Sequence, residues 1–232
     1  MKKKPDGRKI RIGMMNLPRV DDTGGKTTAM FRRLGFEVEE LSRRDIEQDR
    51  FGAFDMLHCP GGHSVKLSER GVRNIKRYVR GGKGLMGICA GCHFIAHTKL
   101  LPIELMIVRA VGIYNVRLVK RHPLTRGFKL VPRSPERKGY NPVPHSDVGR
   151  LPMHRGNGGF IIARSGVDVV ATYDNDDRYG AVVAGNHGKG RVVAISCHPQ
   201  IEVDWSDLPG MNKKTDPRVR ELLRNAVHFC VG

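Results

Sequence analysis

The sequence predicts an α/β fold with a doubly wound, mostly parallel sheet, helices on both faces and a carboxyl-terminal β-hairpin region. Two observations predict this fold. Short apolar runs rich in β-branched residues alternate with segments whose apolar residues recur at helical spacing, and short glycine-containing loops join them. The 232 residues, 39% of them hydrophobic, are enough to bury one large core. Strands that alternate with helices form parallel sheets through right-handed crossovers, which cover both faces.

The amino-terminal half shows the alternation most clearly. Apolar runs predict strands at residues 10–15, 54–62 and 84–88, and residues 36–41 alternate as an edge-side strand does. Helical spacing predicts two helices between them, one that carries Met30, Phe31 and Leu34 and one over residues 68–80. The glycines at positions 35, 81 and 82 are typical of helix ends.

The carboxyl-terminal half is predicted to be richer in strands. A strand is expected at 115–119, and four more short runs follow, "FIIA", "DVVATY", "GAVVAG" and "RVVAIS", the last two joined by "NHGKG" as a hairpin. Residues 131–158 hold five prolines among charges and glycines, so we expect an irregular surface excursion there. A helix is predicted over 218–229. Residues 1–8 are expected to form a basic tail on a single domain that spans residues 1–232.

Composition indicates a soluble, cytoplasmic protein. The first apolar stretch is interrupted by Arg11 and ends at Pro18, which is unlike a secretory signal peptide. The later run "LLPIELMIV" is too short to cross a bilayer, so no membrane partner is expected. Five scattered cysteines, an odd number in a chain of this length, indicate reduced thiols.

The net charge of +18 is the most unusual bulk property of the sequence. Such a charge attracts polyanions, so it leaves a nucleic-acid partner open. However, aromatic residues make up only 6% of the chain, and no basic helix or nucleic-acid motif accompanies the charge. These observations favour a solvated basic surface.

Cys89 is the strongest candidate for chemistry. It lies in "GICAG", between a predicted strand and a predicted helix, where flanking glycines permit the sharp turn of a nucleophile elbow. A helix beginning near Gly91 would place its positive end beside the sulfur and lower the thiol pKa. The C-x-x-C spacing with Cys92 also leaves a redox pair open, although Cys92 is expected to be a small buried residue. The nearby histidines and cysteines lack the spacing of a zinc site, so we expect no metal and no cofactor.

A cysteine nucleophile needs a base and donors for a developing oxyanion. His198 directly follows the last predicted strand, whose carboxyl end opens on the same sheet edge as the elbow, so it is the candidate base. The candidate oxyanion donors are the backbone N–H groups of Gly61, Gly62 and Ala90, because Gly61 and Gly62 end the strand expected to lie beside the elbow strand.

With these motifs in place, the sequence resembles the class I glutamine amidotransferase superfamily. It is most similar to proteins that carry the domain found at the amino terminus of some biotin-protein ligases. The shared features are "PGG", the helix "RNIKRYVRGGKG", the elbow "GICAG", the hairpin "GNHGKGRVVAIS" and the "HP" that follows it. The resemblance covers residues 9–98 and 180–230. It implies a flavodoxin-like fold with Cys89 as nucleophile and His198 as base.

The sequence departs from this superfamily at one position. Where the usual ending has glutamate two residues after the histidine, this chain has Gln200, which can orient an imidazole but cannot offset its positive charge. Glu202, two residues further on, is the candidate substitute, although an extended chain that puts residues 198, 200 and 202 on one side would also place Glu202 farther from the imidazole. The sequence therefore predicts an amidotransferase-like cysteine hydrolase that acts on a small amide or ester. A ligand-binding or scaffold protein with an idle elbow, and a basic polyanion binder, are the alternatives.

Overall fold

The computed structural model describes residues 8–17, 25–62, 65–107, 111–131, 150–156, 158–174, 176–201 and 217–232. These residues form one eleven-stranded sheet. The strands are β1 Arg11–Met15, β2 Glu37–Leu41, β3 Met56–Cys59, β4 Gly84–Ile88, β5 Ile103–Met106, β6 Val111–Leu118, β7 Arg150–Gly156, β8 Phe160–Ala163, β9 Val167–Tyr173, β10 Asp176–His187 and β11 Gly190–Ile195. The helices are α1 Lys26–Arg33, α2 Arg43–Glu47, α3 Glu69–Arg80, α4 Ala90–His97 and α5 Pro217–Val231. Among them, none is long and apolar enough to cross a membrane.

Five neighbouring strands form the parallel half of the sheet, in the order β2-β1-β3-β4-β11. Apolar residues of α1 and α5 pack on one face of the sheet, and apolar residues of α2, α3 and α4 pack on the other. The side chains of β4 alternate between these two faces. Met86 and Ile88 belong to the core cluster on the side of α1 and α5, and Leu85 belongs to the cluster on the side of α2, α3 and α4. The doubly wound α/β fold predicted from the sequence is confirmed.

The other six strands pair antiparallel, so the parallel arrangement applies to only about half of the sheet. After β10 the chain turns back through Gly188 and Lys189 into β11, and the order continues outward from β11 as β10-β9-β6-β7. Strand β8 pairs with β10 and β5 off this path. A two-residue hairpin returns the chain antiparallel, whereas a parallel strand would need a long crossover.

The irregular excursion predicted at 131–158 is wrong for its last part. Residues 150–156 are strand β7, which pairs along β6, while residues 132–149 lie outside the described residues. Pro152 misled the prediction, because proline cannot donate to a sheet ladder. In the sheet order, β7 is an edge strand, and such a strand tolerates proline.

The predicted basic tail is anchored at its last residue. The guanidinium of Arg8 forms an ion pair of 2.9 Å with Asp55, whose carboxylate also accepts from the backbone N–H of Arg11 at 2.9 Å. Residues 1–7 lie outside the described part of the chain. Arg8 therefore belongs with the first strand of the fold.

The buried histidine of β3 predicts how stability depends on pH. His58 is fully buried against the ring of Phe31, and burial lowers its pKa to about 3. The unfolded chain, with a histidine pKa of about 6.5, takes up a proton that the fold excludes. This contribution to stability is complete above pH 6.5 and is lost as the pH falls from there towards 3.

We expect the free energy of unfolding in urea to fall between pH 7 and pH 5, with His58 accounting for about 2 kcal/mol. In His58→Leu the fall becomes shallower, because leucine has no proton to take up. The exposed His97 provides a matched control, and His97→Gln should retain the full fall. An unchanged pH dependence in His58→Leu would contradict the assignment.

Candidate active site

Cys89 occupies a strained turn between β4 and α4. Its backbone has φ of 52° and ψ of −105°, which places a residue with a side chain in the left-handed half of conformational space. Such a conformation costs about 1–3 kcal/mol and persists only where the surroundings impose it. It is the geometry expected of a nucleophile elbow, which lifts the side chain above the carboxyl edge of the sheet.

Close backbone approaches impose the turn. A Cβ atom at Gly91 would lie 2.3 Å from the carbonyl oxygen of Cys59, and one at Gly87 would lie 2.6 Å from the backbone carbonyl of Gly91. The N–H of Cys89 donates to the carbonyl of Ile195 at 2.9 Å, which ties the elbow to the end of β11. Both flanking positions therefore exclude any side chain.

The thiol of Cys89 is almost enclosed. The residue is 6% exposed, and its Sγ donates to the carbonyl of Gly156 at 3.7 Å. Burial raises the thiol pKa, although hydrogen bonds from the N–H groups of Ala90 and Gly62, and the charge of Arg155, act in the opposite direction. The sequence-based expectation of a lowered pKa is wrong, because desolvation outweighs the helix terminus and its donors.

His198 lies beside Cys89 at the end of β11. A Cβ atom on Gly61 would lie 3.0 Å from Cε1 of His198 and 3.6 Å from Cβ of Cys89, so both side chains border this one glycine. Burial and, to a smaller extent, the neighbouring His154 lower the pKa of His198 to about 4, although a hydrogen bond to the backbone of Gly156 opposes them. The imidazole is therefore neutral at pH 7.

The predicted oxyanion donors take two different places. The N–H groups of Gly62 and Ala90 are directed at the sulfur of Cys89, where an oxyanion formed next to the attacked carbon would also lie. Gly61 instead packs against the imidazole of His198. Its missing side chain makes room for the ring.

Gln200 contacts the imidazole of His198 at Nδ1. Its Nε2 lies 3.1 Å from Nδ1 of His198, and the residue is 2% exposed. The chain from His198 does not continue as a strand, since the N–H of Ile201 donates back to the carbonyl of His198 at 3.2 Å and closes a turn. Glu202, the other candidate partner of His198, lies outside the described residues.

Strand β7 covers the site. Although β10, β9 and β6 separate it from β11 in the sheet, His154 forms an isolated antiparallel bridge with His198, and the N–H of His198 donates to the carbonyl of His154 at 2.7 Å. The antiparallel half of the sheet therefore curves back over the carboxyl edge of the parallel half. This curvature brings the carbonyl of Gly156 to both Cys89 and His198.

Arg155, which the sequence analysis did not single out, is fully buried next to this site. Its guanidinium lies 4.1 Å from the ring centroid of Phe160 and also faces the rings of Tyr114 and Tyr173. Its Nε and Nη2 donate to the carbonyl of Gly158 at 3.0 and 2.7 Å. A buried cation held by aromatic rings lowers the pKa of nearby thiols.

The alternation of β7 was the signal that could have found Arg155. Leu151, Met153 and Arg155 are buried and occupy alternate positions, which is the pattern of a strand with one face in the core. The prolines and glycines around them obscured that pattern in the sequence.

The other four thiols are fully buried and unbridged. Cys92 donates to the carbonyl of Gly87 at 3.6 Å, and burial holds its pKa well above the ordinary value. Burial likewise raises the pKa of Cys197 to about 11 and that of Cys230 to about 12. Cys92 is thus the small buried residue that the sequence analysis expected.

Comparison with solved structures identifies the fold. PurLQS from Thermotoga maritima is 17% identical over 96% of this chain and 99% of its own, with a TM-score of 0.66. A glutamine amidotransferase from the same organism is 16% identical over 97% of this chain and 99% of its own, with a TM-score of 0.61. The chain has a class I glutamine amidotransferase-like fold. A protein assigned as one of the GMP synthase subunits of Thermoplasma acidophilum agrees, at 14% identity, 96% and 94% coverage and a TM-score of 0.65.

The sequence itself matches no family model and no curated protein. The assignment of an amidotransferase-like fold therefore rests on structural similarity alone. Sequence identities this low do not indicate a substrate. The narrower resemblance to the amino-terminal domain of biotin-protein ligases stays a prediction.

The electrostatic role of Arg155 can be measured through the ultraviolet absorbance of thiolate. We expect the Arg155→Gln variant to raise the pKa of Cys89, because a nearby positive charge favours the thiolate. Arg155→Lys keeps the charge and should shift the pKa much less. Subtracting the titration of Cys89→Ser isolates the signal of this one thiol. An equal or lower pKa in Arg155→Gln would show that the guanidinium does not act on the sulfur.

Proposed function

We propose that the protein is an amidotransferase-like cysteine hydrolase, which cleaves a small amide or ester through a thioester acyl-enzyme. The observation that carries this proposal is the strained backbone of Cys89, with the N–H groups of Ala90 and Gly62 directed at its sulfur. Strain of this kind has no use in packing, since a glycine would adopt the same turn at lower free energy. The nearly closed site, with 6% of Cys89 exposed, favours a small acyl group.

The reaction begins from a neutral pair of Cys89 and His198. Burial disfavours both the thiolate and the imidazolium at pH 7. The thiol proton of Cys89 therefore moves to Nε2 of His198 as the sulfur attacks the substrate carbonyl. The new S–C bond forms while the carbonyl electrons move to oxygen. The N–H groups of Ala90 and Gly62 stabilise the resulting oxyanion.

Collapse of this intermediate releases the leaving group. The C–N or C–O bond breaks, and the leaving amine or alcohol takes the proton from Nε2 of His198. Water then attacks the thioester, giving one proton to His198, and the thiolate leaves and recovers that proton. The net reaction consumes one water and yields an acid together with an amine or alcohol.

The orientation of the Gln200 amide decides which tautomer His198 adopts. Its amide lies at Nδ1 of His198, and a rotation of 180° exchanges the donor Nε2 for the acceptor Oε1. With Oε1 towards the ring, Nδ1 carries the proton and Nε2 is free to act as a base. With the amide Nε2 of Gln200 towards the ring, His198 carries its proton on its own Nε2, which faces Gly156.

The same residue favours the second candidate function, a ligand-binding protein with an idle elbow. An amide offers no negative charge to stabilise the imidazolium that forms when His198 takes up the thiol proton. The two functions differ in whether an acyl group on Cys89 is released by water, so an acylation experiment separates them.

We expect p-nitrophenyl acetate, a small activated ester, to acetylate Cys89 and to be hydrolysed catalytically. Mass spectrometry of a rapidly quenched reaction should find the acetyl group on Cys89 alone, and hydroxylamine should remove it, as it does from thioesters. His198→Ala should acylate slowly, and Cys89→Ala not at all. Ester hydrolysis that persists in Cys89→Ala would refute the hydrolase, whereas stoichiometric acylation without turnover would support the idle elbow.

Gln200→Glu tests the tautomer argument. A carboxylate at Nδ1 should raise the pKa of His198 above about 4, because it stabilises the imidazolium, and should raise kcat/KM for the ester. The increase is expected to be large, up to about 10⁴-fold, the factor typically associated with a carboxylate in this role. The two readouts are an NMR titration of the imidazole and steady-state kinetics. A raised pKa without faster hydrolysis would show that His198 is not the base.

A further inference from the structure

The segment that follows β6 lies against α5 and forms a basic groove. Two cavities, of about 830 and about 630 Å³, adjoin there and share Pro123 and Arg126 as lining residues. We call this feature the basic groove and define it by residues 121–130 on one wall, with Arg191 and residues 221–232 on the other. It therefore has two adjoining compartments.

Positive charge dominates the lining of the basic groove. Its two cavities are lined by five lysine and arginine side chains, two histidines and a single carboxylate, that of Glu221. The cations are Arg121, Arg126, Lys129, Arg191 and Arg224. Glu221 already forms an ion pair with Arg224. Arg121, Arg126 and Lys129 are exposed and form no ion pair with any residue in the described ranges.

The walls of the basic groove are fixed by contacts that leave these cations available. The side-chain amide of Asn225 donates to the carbonyls of Leu124 at 3.1 Å and Arg126 at 3.0 Å, which binds the segment to α5. The ring of His122 packs at 4.7 Å from that of Phe229. Arg191 donates to the carbonyl of Phe229 at 3.0 Å and lies over its ring. A preorganised cationic surface binds anions with a smaller loss of conformational entropy.

The basic groove is remote from the candidate active site. Arg191 lies at the start of β11, whereas His198 follows its end, so the length of the strand, roughly 20 Å at the usual rise per residue, separates them. Cys230, near the end of α5, contacts Gly84 at the amino end of β4, while Cys89 follows the other end of that strand. The cations of the groove therefore lie too far from Cys89 to contact a substrate bound there.

We propose that the basic groove binds single-stranded nucleic acid through its phosphate backbone. Cations spread over two adjoining cavities match successive phosphates of a chain better than they match one compact anion. The partly exposed ring of Phe128 also lines one of the cavities, where a base can contact it. A concave channel also suits a flexible strand, whereas a membrane surface would require a flat or convex face. The net charge of +18 strengthens association with any polyanion.

Fluorescence anisotropy with a labelled oligouridylate of about 20 nucleotides tests the proposal at a series of salt concentrations. If Arg121, Arg126 and Lys129 contact phosphates, the logarithm of the binding constant should fall with the logarithm of salt with a slope of about −2. The double variant Arg126→Ala with Lys129→Ala should bind about tenfold more weakly at 100 mM salt, and its slope should be less steep by about 1.4.

A matched control removes the same charge elsewhere. Arg44 and Arg70 are exposed cations on α2 and α3, outside the basic groove, and Arg44→Ala with Arg70→Ala should retain wild-type affinity. Equal weakening in both double variants would overturn the proposal, because it would assign binding to diffuse charge. So would absence of binding at 50 mM salt. Binding of the wild-type protein to anionic phospholipid vesicles, but not to the oligonucleotide, would assign the groove to a membrane instead.

The Cys89→Ser variant makes this test independent of the proposed hydrolase. It should bind the oligonucleotide as tightly as the wild-type protein, because the groove lies at the other edge of the sheet. Loss of binding in Cys89→Ser would contradict that separation of the two sites.

Discussion

The close approach of backbones around Cys89 is the constraint on which the site depends. Gly91 touches the end of β3, Gly87 touches Gly91, and the N–H of Cys89 is bound to the end of β11. The nucleophile, the strand that precedes the Gly62 donor and the strand that precedes His198 are therefore positioned by the same few backbone contacts. The strain at Cys89 is sustained because three elements of the sheet meet at this turn.

The protonation states of Cys89 and His198 depend on the strand that covers the site, β7. Because the antiparallel half of the sheet curves over the carboxyl edge, Cys89 and His198 are both buried, and burial drives each towards its neutral form. Arg155 and the backbone N–H groups partly restore the stability of a thiolate. This balance favours proton transfer during attack over a preformed ion pair. The distant basic groove concentrates exposed charge where burial does not oppose it.

The sequence predicted the parallel half of the sheet well, because its signals are local. Apolar runs end at glycine or proline, and "GICAG" places Cys89 between a strand and a helix. Strand β7 was not predicted, because Pro152 indicates the end of a strand unless that strand is known to lie at the edge of a sheet. Arg155 reaches Cys89 only through the curvature of the antiparallel half, which no local pattern records. The contact of Gln200 with His198 depends on a turn, whereas the sequence analysis assumed an extended chain.

Site-resolved alkylation tests the central claim, that Cys89 is the reactive thiol of a nucleophile elbow. The folded protein is treated with iodoacetamide at neutral pH, and mass spectrometry follows each of the five cysteines with time. We predict that Cys89 is labelled first and faster in wild-type protein than in His198→Ala, while the four fully buried thiols react only on unfolding. Labelling of Cys89 that is no faster than that of Cys92 or Cys197, or that requires global unfolding, would contradict the account.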